Sequence, residues 1–177
     1  MKLRVSAVQY HLHTIDRFSQ FEAQVTHYVK TAQEYNADFV LFPEFITTQL
    51  MSLPGQTRTI RDLTQFTEAY ISLFSNLAKE SGMYIIGGTH VIEANNKLYN
   101  VAHTFCPDGQ VVTQPKLHIT PTEVDEWHIT PGEGLPVFTT AKGTVIAVLT
   151  CYDIEFPEVV RIAKAKGADV IFCPSCT

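Results

Sequence analysis

Hydrophobic and polar positions vary along the chain with two periods, one typical of helices and the other of buried strands. Between residues 18 and 35, apolar side chains recur at steps of three and four, the spacing of one helix face. These positions are Phe18, Phe21, Val25, Tyr28, Ala32 and Tyr35. The pattern predicts an amphipathic helix with Asp16 as its N-cap. A second helix is predicted over residues 65–80, ending at Gly82.

Short apolar runs predict strands around these helices. The predicted strands are 3–9, 38–43, 83–92, 98–106 and 110–115. Pro107-Asp108-Gly109 predicts a turn between the last two. Residues 117–135, rich in proline, threonine and glycine, are predicted to form a long loop. A strand–helix–strand unit follows, with segments 144–150, 156–166 and 169–173, and Gly167 is expected to end its helix.

Two segments that leave predicted helices have similar sequences. Residues 36–45 and 167–176 share a helix exit, a buried strand, a proline and then a polar residue. Such a pattern is as compatible with an ordinary helix-to-strand connection as with internal symmetry. In both readings polar residues follow the carboxyl end of a strand, where open α/β sheets bind ligands. The alternation of elements predicts an α/β fold.

Composition narrows the class of protein. The chain has 177 residues, about one domain, with 45% hydrophobic and 18% charged residues. Its 13 Lys and Arg residues are scattered and its net charge is −5, so we expect no nucleic-acid partner. No apolar run approaches the ~20 residues of a membrane span. Four cysteines do not make a disulfide scaffold, which favours a reducing, cytoplasmic location.

Cys151 is a candidate nucleophile because it lies between a predicted strand and a predicted helix. A tight turn there would present its sulfur at the sheet edge. The free N–H groups of a helix N-terminus are expected to favour the thiolate. The backbone N–H of Tyr152 would be placed to stabilise an oxyanion. By position alone, a buried structural cysteine is the more common outcome.

Glu44 and Lys116 also stand at predicted strand ends. Glu44 is flanked by core-like sequence, including Phe45 and Ile46, so its carboxylate is expected to be partly desolvated, as suits a general base. A loop glutamate turned to solvent is the equal alternative. Lys116 ends the run 111–115, and taken alone it is more typical of a solvated lysine.

Three sequence blocks are more specific than these positions. They are Phe42-Pro43-Glu44-Phe45, Pro115-Lys116-Leu117-His118 and Thr150-Cys151-Tyr152-Asp153-Ile154-Glu155-Phe156-Pro157-Glu158. In order and spacing they resemble the signature blocks of the carbon–nitrogen hydrolase (nitrilase) superfamily. The opening strand that ends at Gln9 and the strand with Gly87-Gly88 are also similar to the family pattern. The resemblance covers essentially the whole chain.

The resemblance implies a Glu–Lys–Cys catalytic triad. Glu44 would take the thiol proton, Cys151 would attack a carbonyl or nitrile carbon, and Lys116 would stabilise the developing negative charge. Water would then release the acyl-thioester, without a metal or organic cofactor. Family members often use a second glutamate after the lysine. Glu123 fits that place best, and Glu126 is its competitor.

The resemblance also implies the fold and the assembly. It implies a four-layer α-β-β-α sandwich with two sheets face to face. Family members usually extend further, so residues 1–177 are expected to form a single carbon–nitrogen hydrolase domain that is incomplete at its C-terminus, roughly its N-terminal two-thirds. A homodimer or larger homo-oligomer is expected, in part through the helix after the nucleophile. That helix carries Val159, Val160, Ile162 and Ala163, more apolar surface than one core face requires.

The leading function is therefore that of a thiol amidase acting on a small linear amide. A nitrilase or an N-carbamoyl amidohydrolase would use the same triad on another small molecule. A Cys–His hydrolase using His90, His103 or His118 is a second alternative, although no local signature surrounds these histidines. The third alternative is a non-catalytic scaffold, which the intact Glu, Lys and Cys positions disfavour.

Overall fold

The computed structural model describes residues 2–55 and 59–176. Its strands are β1 (Val5–Ala7), β2 (Phe39–Leu41), β3 (Tyr84–Ala94), β4 (Lys97–Phe105), β5 (Val111–Pro115), β6 (Phe138–Thr139), β7 (Val145–Val148) and β8 (Val170–Phe172). Its α-helices are α1 (Phe18–Glu34), α2 (Thr67–Ser81), α3 (Pro121–Asp125) and α4 (Pro157–Ala165). Three 3₁₀ turns cover Ile46–Ser52, Ile60–Phe66 and Cys151–Glu155.

The strands form two sheets. The larger has the order β1-β2-β3-β4-β5, in which β1, β2 and β3 are parallel and β3, β4 and β5 form an antiparallel meander. The smaller has the order β6-β7-β8, with β6 antiparallel and β8 parallel to β7. The parallel pairs are joined through helices, as parallel strands require a crossover connection.

Three apolar clusters show how the layers stack. The first packs α1 and α2 against the larger sheet, through residues such as Val25, Phe74 and Ile85. The second lies between the two sheets, where the rings of Phe39 and Phe172 are 4.9 Å apart. The third packs α4 on the far side of the smaller sheet. The order helix, sheet, sheet, helix confirms the predicted α-β-β-α sandwich.

The bounds of the predicted strands and helices agree with the observed ones to within a few residues, whereas the 3₁₀ turns Ile46–Ser52 and Ile60–Phe66 were not predicted and three further features differ. Arg17, not Asp16, is the N-cap of α1, because Gln20 Oε1 reaches back to the N–H groups of both residues, at 2.7 Å and 3.2 Å. The predicted loop 117–135 contains α3, and β6 was not predicted at all. A short helix and a two-residue strand leave too little periodicity to be recognised.

Helix α4 buries one apolar face and leaves another apolar side chain outside. Val159 and Ala163 are buried, Val160 is half-buried, and Ile162 is 48% exposed. The exposed fraction of Ile162 agrees with the predicted excess of apolar surface on this helix. Across the described ranges 2–55 and 59–176, none of the helices combines the length and the hydropathy needed to cross a membrane.

Candidate active site

Glu44 lies in the turn after β2, and β3 holds that turn. The next residue, Phe45, has a φ of 54°, a conformation that is rare for a bulky residue, and its N–H donates to Thr89 Oγ1 at 2.8 Å. Gly88 lets β3 approach closely, because a Cβ at this position would lie 2.0 Å from the carbonyl oxygen of Pro43. These contacts direct the Glu44 side chain inward, where only 3% of it is exposed.

Lys116 directly follows β5, and its backbone extends the pairing with β4. Its N–H donates to the carbonyl of Asn100 at 2.8 Å, and its own carbonyl accepts from the N–H of Gly132 at 2.8 Å. Its side chain is 2% exposed, and a buried ammonium requires compensating partners. Nζ has two of them, Glu44 Oε1 at 2.9 Å and Glu123 Oε2 at 2.6 Å.

Glu123 reaches the lysine because it lies in α3. Thr120 caps this helix, and Glu123 Oε2 accepts from the N–H and the hydroxyl of Thr120 at 3.0 Å and 2.8 Å. Burial opposes ionisation of Glu123, but its hydrogen bonds with Lys116 and Thr120 hold the pKa of the carboxyl below its ordinary value. Glu126 is exposed, so the structure brings Glu123 and not its competitor to Lys116.

Asn100, a residue of β4, completes this group and was missed by the sequence reasoning. Its Nδ2 donates to Glu44 Oε1 and to Glu123 Oε1, both at 2.9 Å, and the residue is fully buried. The available signal was an amide within a predicted strand, since buried polar side chains require partners. We call Glu44, Asn100, Lys116 and Glu123 the charged cluster.

Cys151 begins the 3₁₀ turn after β7, with a φ of 46°, and its N–H donates to the carbonyl of Pro174 at 2.9 Å. Its thiol hydrogen-bonds to Glu44, and its sulfur accepts from the backbone N–H of Cys176. Burial and the negative charge of Glu44 raise the pKa of Cys151, and the charge of Lys116 only partly opposes them. The expected thiolate is therefore wrong, because burial of the sulfur and the carboxylate of Glu44 both favour the neutral thiol.

Asp153 joins the segment after Lys116 to the turn of Cys151. Its buried carboxylate accepts from the N–H groups of Leu117, His118 and Thr150 at 3.1, 2.7 and 3.0 Å. The Nδ1 of His118 lies 3.1 Å from the same carboxylate. A single side chain thus fixes the lysine segment relative to the nucleophile turn.

A cavity of about 580 Å³ opens beside Glu44. Its walls combine polar and apolar side chains, among them Gln9, Tyr10, His11, Phe45, Thr48 and Cys176. Among the described residues that line it there is no lysine or arginine. Tyr152, whose N–H is the predicted oxyanion donor, directly follows Cys151 on the 3₁₀ turn, and its ring packs edge-on against Phe156 with the centroids 5.2 Å apart.

Two of the candidate histidines lie in a separate buried group. His90 bonds through its two ring nitrogens to the hydroxyls of Thr47 and Thr67, both at 2.9 Å. Tyr70 stacks on His90 at 4.8 Å and meets the ring of His103 edge-on at 5.3 Å. We call these five residues the histidine cluster. The third candidate, His118, contacts Asp153 and stacks on Phe156 at 3.7 Å.

Metal-ligating side chains do not converge in the part of the chain that the structure describes. Within residues 2–55 and 59–176, no group of three or more His, Cys, Asp or Glu residues could hold a metal ion. Lys116 and Asn100 already donate N–H groups to oxygens of both Glu44 and Glu123. The chemistry available at this site is that of a thiol, two carboxylates and an ammonium.

Comparisons with known proteins give matches over nearly the whole chain. The family model for carbon–nitrogen hydrolases matches residues 4–177. The probable hydrolase YhcX of Bacillus subtilis (strain 168) is 46% identical over 178 residues, which cover 99% of this chain and 34% of that protein. Omega-amidase NIT2 of Danio rerio is 30% identical over 190 residues, which cover 98% of this chain and 63% of that protein.

The fold has counterparts among solved structures. A mutant of the amidase from Nesterenkonia sp. AN1 superposes with a TM-score of 0.78 at 22% identity, covering 98% of this chain and 67% of that one. The chain spans less than two thirds of the length of the two curated relatives. The family match nevertheless extends over nearly all of its residues and includes all three signature blocks. The chain belongs to the carbon–nitrogen hydrolase family.

Proposed function

We propose that this chain carries the catalytic site of an amidase, which hydrolyses a small linear amide through a thioester on Cys151. The observation that supports this function most is the charged cluster beside the thiol. Lys116 lies between two carboxylates, at 2.9 Å and 2.6 Å, and one of them, Glu44, also accepts the hydrogen bond of Cys151. A base and a cation are thus both held next to a nucleophile.

The nucleophile is generated during the attack and not before it. With two carboxylates and one ammonium, the charged cluster has one negative charge in excess, which keeps Cys151 as a thiol at rest. As the sulfur approaches the amide carbon, its proton passes to Glu44, to which it is already hydrogen-bonded. The new S–C bond pushes the carbonyl electrons onto oxygen and forms a tetrahedral oxyanion.

Lys116 and the backbone N–H of Tyr152 are the proposed donors to that oxyanion. When the intermediate collapses, the C–N bond breaks, and the nitrogen leaves as ammonia with the proton held by Glu44. A water molecule then attacks the thioester and gives its proton to Glu44, and the sulfur leaves and takes the proton back. Glu123 orients Lys116 through both steps and keeps it protonated.

The substrate class is supported by the relatives and by the cavity. The relative from Danio rerio is an omega-amidase, and a glutamate-to-glutamine mutant of the amidase from Nesterenkonia sp. AN1 carries the product of Michael addition of acrylamide at its active-site cysteine. The cavity beside Glu44 has polar groups without a lysine or arginine among its described lining residues, which favours a small uncharged amide.

We also propose that residues 1–177 belong to one domain, that copies associate in part through α4, and that the protein works in the cytoplasm. Three stacked apolar clusters support a single folding unit. The exposed Ile162 supports the association. The four free cysteines suit a reducing compartment. Sedimentation at micromolar concentration tests the association, and a clean monomer would contradict it.

The substrate class is tested with propionamide, propionitrile and N-carbamoylglycine as parallel substrates. We expect ammonia release from propionamide and, after acid quenching, a mass increase of one propionyl group on the peptide that contains Cys151. Cys173→Ala is the matched control, since it removes another free, half-buried cysteine at a strand end and should leave the adduct unchanged. Turnover of the nitrile alone, or an adduct on another residue, would refute the proposal.

A further inference from the structure

Asn100 is held in one orientation by the two carboxylates that flank it. Its Nδ2 lies 2.9 Å from Glu44 Oε1 and 2.9 Å from Glu123 Oε1. The flipped amide would place its carbonyl oxygen against two carboxylate oxygens, so the orientation follows from the network. Both N–H bonds of the side chain are therefore used on the two carboxylates of the site.

This orientation leaves the carbonyl oxygen of the Asn100 side chain without a hydrogen bond in the described part of the chain. Asn100 Oδ1 is buried and finds no hydrogen-bond partner among residues 2–55 and 59–176. A buried acceptor without a partner carries a cost in stability, because the hydrogen bonds it loses with water are not replaced. A leucine would fill similar space without that cost, so the strand's packing alone does not explain an asparagine here. The explanation lies in the two N–H donors.

The hydrogen bonds of the two carboxylates show what these donors do. Glu44 Oε1 accepts from both Lys116 and Asn100, which leaves Oε2 as the oxygen available to the thiol of Cys151. Glu123 Oε2 is taken by Lys116 and Thr120, and Oε1 by Asn100. Asn100 and Lys116 therefore each donate hydrogen bonds to both carboxylates.

We propose that Asn100 is a positioning residue that clamps Glu44 and Glu123 as two ionised carboxylates and turns one oxygen of Glu44 toward Cys151. This inference rests on the proposed function for its catalytic consequence, although the clamp itself can be measured without turnover. Without the two N–H donors, the carboxylates repel each other across a single lysine, and one of them takes up a proton more readily.

Two substitutions of nearly the same shape separate this role from packing. Asn100→Leu removes both donors at every pH. Asn100→Asp restores one donor, but only while the new carboxyl is protonated. The charged groups that face it are Glu44, Glu123 and Lys116, with the Cys151 thiol beyond Glu44. Because two of these neighbours are negatively charged and one is positively charged, the new carboxyl of Asn100→Asp is expected to be protonated near neutral pH.

The carboxyl groups can be observed directly by NMR. Protein labelled with ¹³C at the glutamate side-chain carboxyl carbon is titrated, with the Glu123 signal assigned from Glu123→Gln. The pKa of Glu123 is held low in the native protein, and in Asn100→Leu we expect its midpoint to rise by about one to two pH units, the size of a hydrogen bond to a charged group. His103→Leu is the control, because it removes another buried polar group of β4 that contacts Tyr70 and not the carboxylates.

The catalytic consequence is read from pH profiles. In Asn100→Leu we expect kcat to fall by about 10- to 100-fold with KM within about twofold, because the base and not the substrate pocket is disturbed. In Asn100→Asp we expect activity, and the rate of Cys151 alkylation by iodoacetamide, to fall increasingly below the native values as pH rises and the new carboxyl ionises. If Asn100 had only a packing role, the pH profiles of Asn100→Asp would show no such additional loss at high pH.

The outcomes separate this inference from the proposed function. If the Glu123 midpoint stays within about 0.3 pH unit of the native one in both variants, and the alkylation profile is unchanged, the clamp does not exist. If the midpoint and the alkylation profile move as expected while the native chain turns over no amide, the clamp stands and the amidase proposal fails. Should Asn100→Leu not fold, Asn100→Asp carries the same test by itself.

Discussion

The charged cluster and the histidine cluster both contact the larger sheet, and both are buried, yet they hold their ionisable groups in opposite states. In the charged cluster, burial opposes the charge on Lys116, but the two carboxylates prevail and raise the pKa of the lysine above its ordinary value. In the histidine cluster, burial lowers the pKa of His90 to about 3 and that of His103 to about 4, so both rings are neutral. Hydroxyl groups bind both ring nitrogens of His90, whereas His103 bonds only to the carbonyl of Val101, and its Nε2 has no partner among residues 2–55 and 59–176.

The difference shows what distinguishes a candidate site from buried polar packing. Both clusters contain ionisable side chains that are almost completely inaccessible, so burial alone does not separate them. Only the charged cluster keeps its ions, and only there does a carboxylate also bond to a thiol. The histidine cluster instead stabilises the segment that follows Glu44, through the hydrogen bond between His90 and Thr47. Charge retained beside a reactive group is the informative feature.

The largest expected effect comes from removing the nucleophile beside the charged cluster. Cys151→Ala should abolish amide turnover, and Cys151→Ser should nearly abolish it, because a hydroxyl is far harder to deprotonate than a thiol. Steady-state ammonia release measures this, with circular dichroism as the control for folding. If Cys151→Ala kept a tenth of the native activity, another residue would have to be the nucleophile.

Removing the cation should have the next largest effect. Lys116→Ala should slow the reaction by about 10²- to 10³-fold, the loss typical of one oxyanion donor. It should also lower the free energy of unfolding by about 3–5 kcal/mol, since two buried carboxylates lose their counter-charge. Lys116→Arg should not restore the rate, because a planar fork cannot replace a compact ammonium. Single-turnover kinetics measures the loss of rate, and urea unfolding measures the loss of stability. An active Lys116→Arg would contradict the role of Lys116 as oxyanion donor.

A smaller effect is expected in the histidine cluster, and it concerns stability. The folded-state pKa values of His90 and His103 lie below the ordinary value, so the unfolded chain binds more protons as pH falls. Stability is therefore fully present above about pH 6.5 and is lost toward the folded pKa values, by at most about 1.4 kcal/mol per pH unit for each ring. Urea unfolding at pH 6.5, 5.75 and 5.0 measures the slope.

The matched variant for that slope is His103→Leu. It removes one proton-binding group and should flatten the pH dependence by about half, while single changes in the histidine cluster leave amide turnover within a few-fold of the native rate. The range above pH 5 excludes the loss due to Glu123, whose lowered pKa acts below the ordinary glutamate value. An unchanged slope in His103→Leu would mean that folding does not lower the pKa of this ring.

The residues of the site that could be predicted from sequence are those of the signature blocks, together with Glu123, which the same family resemblance implies. The strand pattern places Glu44, Lys116 and Cys151 at a sheet edge, but position alone favours a solvated lysine and a structural cysteine. Asn100 could not be found this way, because it lies within a strand and its partners come from two distant turns. The five-residue α3 was hidden in loop-like composition, although Thr120 and Glu123 form its capping box. The roles of the three strand-end residues stay predictions until turnover is measured.

The pKa shifts of the site could not be predicted from sequence, because they depend on contacts between distant parts of the chain. A cysteine before a helix is expected to favour the thiolate, but burial of the sulfur and a carboxylate from a different part of the chain raise the pKa of Cys151 instead. The layering could be predicted only through the family resemblance, since periodicity alone does not say which strands share a sheet. The apolar clusters on both sides of each sheet then account for the order of the layers.

The most direct test of the account is the rate of acyl-enzyme formation in variants of the two clusters and of His118. An activated ester of a small linear acid is mixed with Glu44→Gln, Lys116→Ala, His90→Ala, His103→Ala and His118→Ala, and the acylated fraction of Cys151 is followed by intact mass. We expect the first two to lose at least about 10²-fold, since they remove the base and the oxyanion donor, and the histidine variants to acylate at close to the native rate. A histidine variant that fails to acylate while Lys116→Ala remains active would contradict the Glu–Lys–Cys site and favour a Cys–His hydrolase.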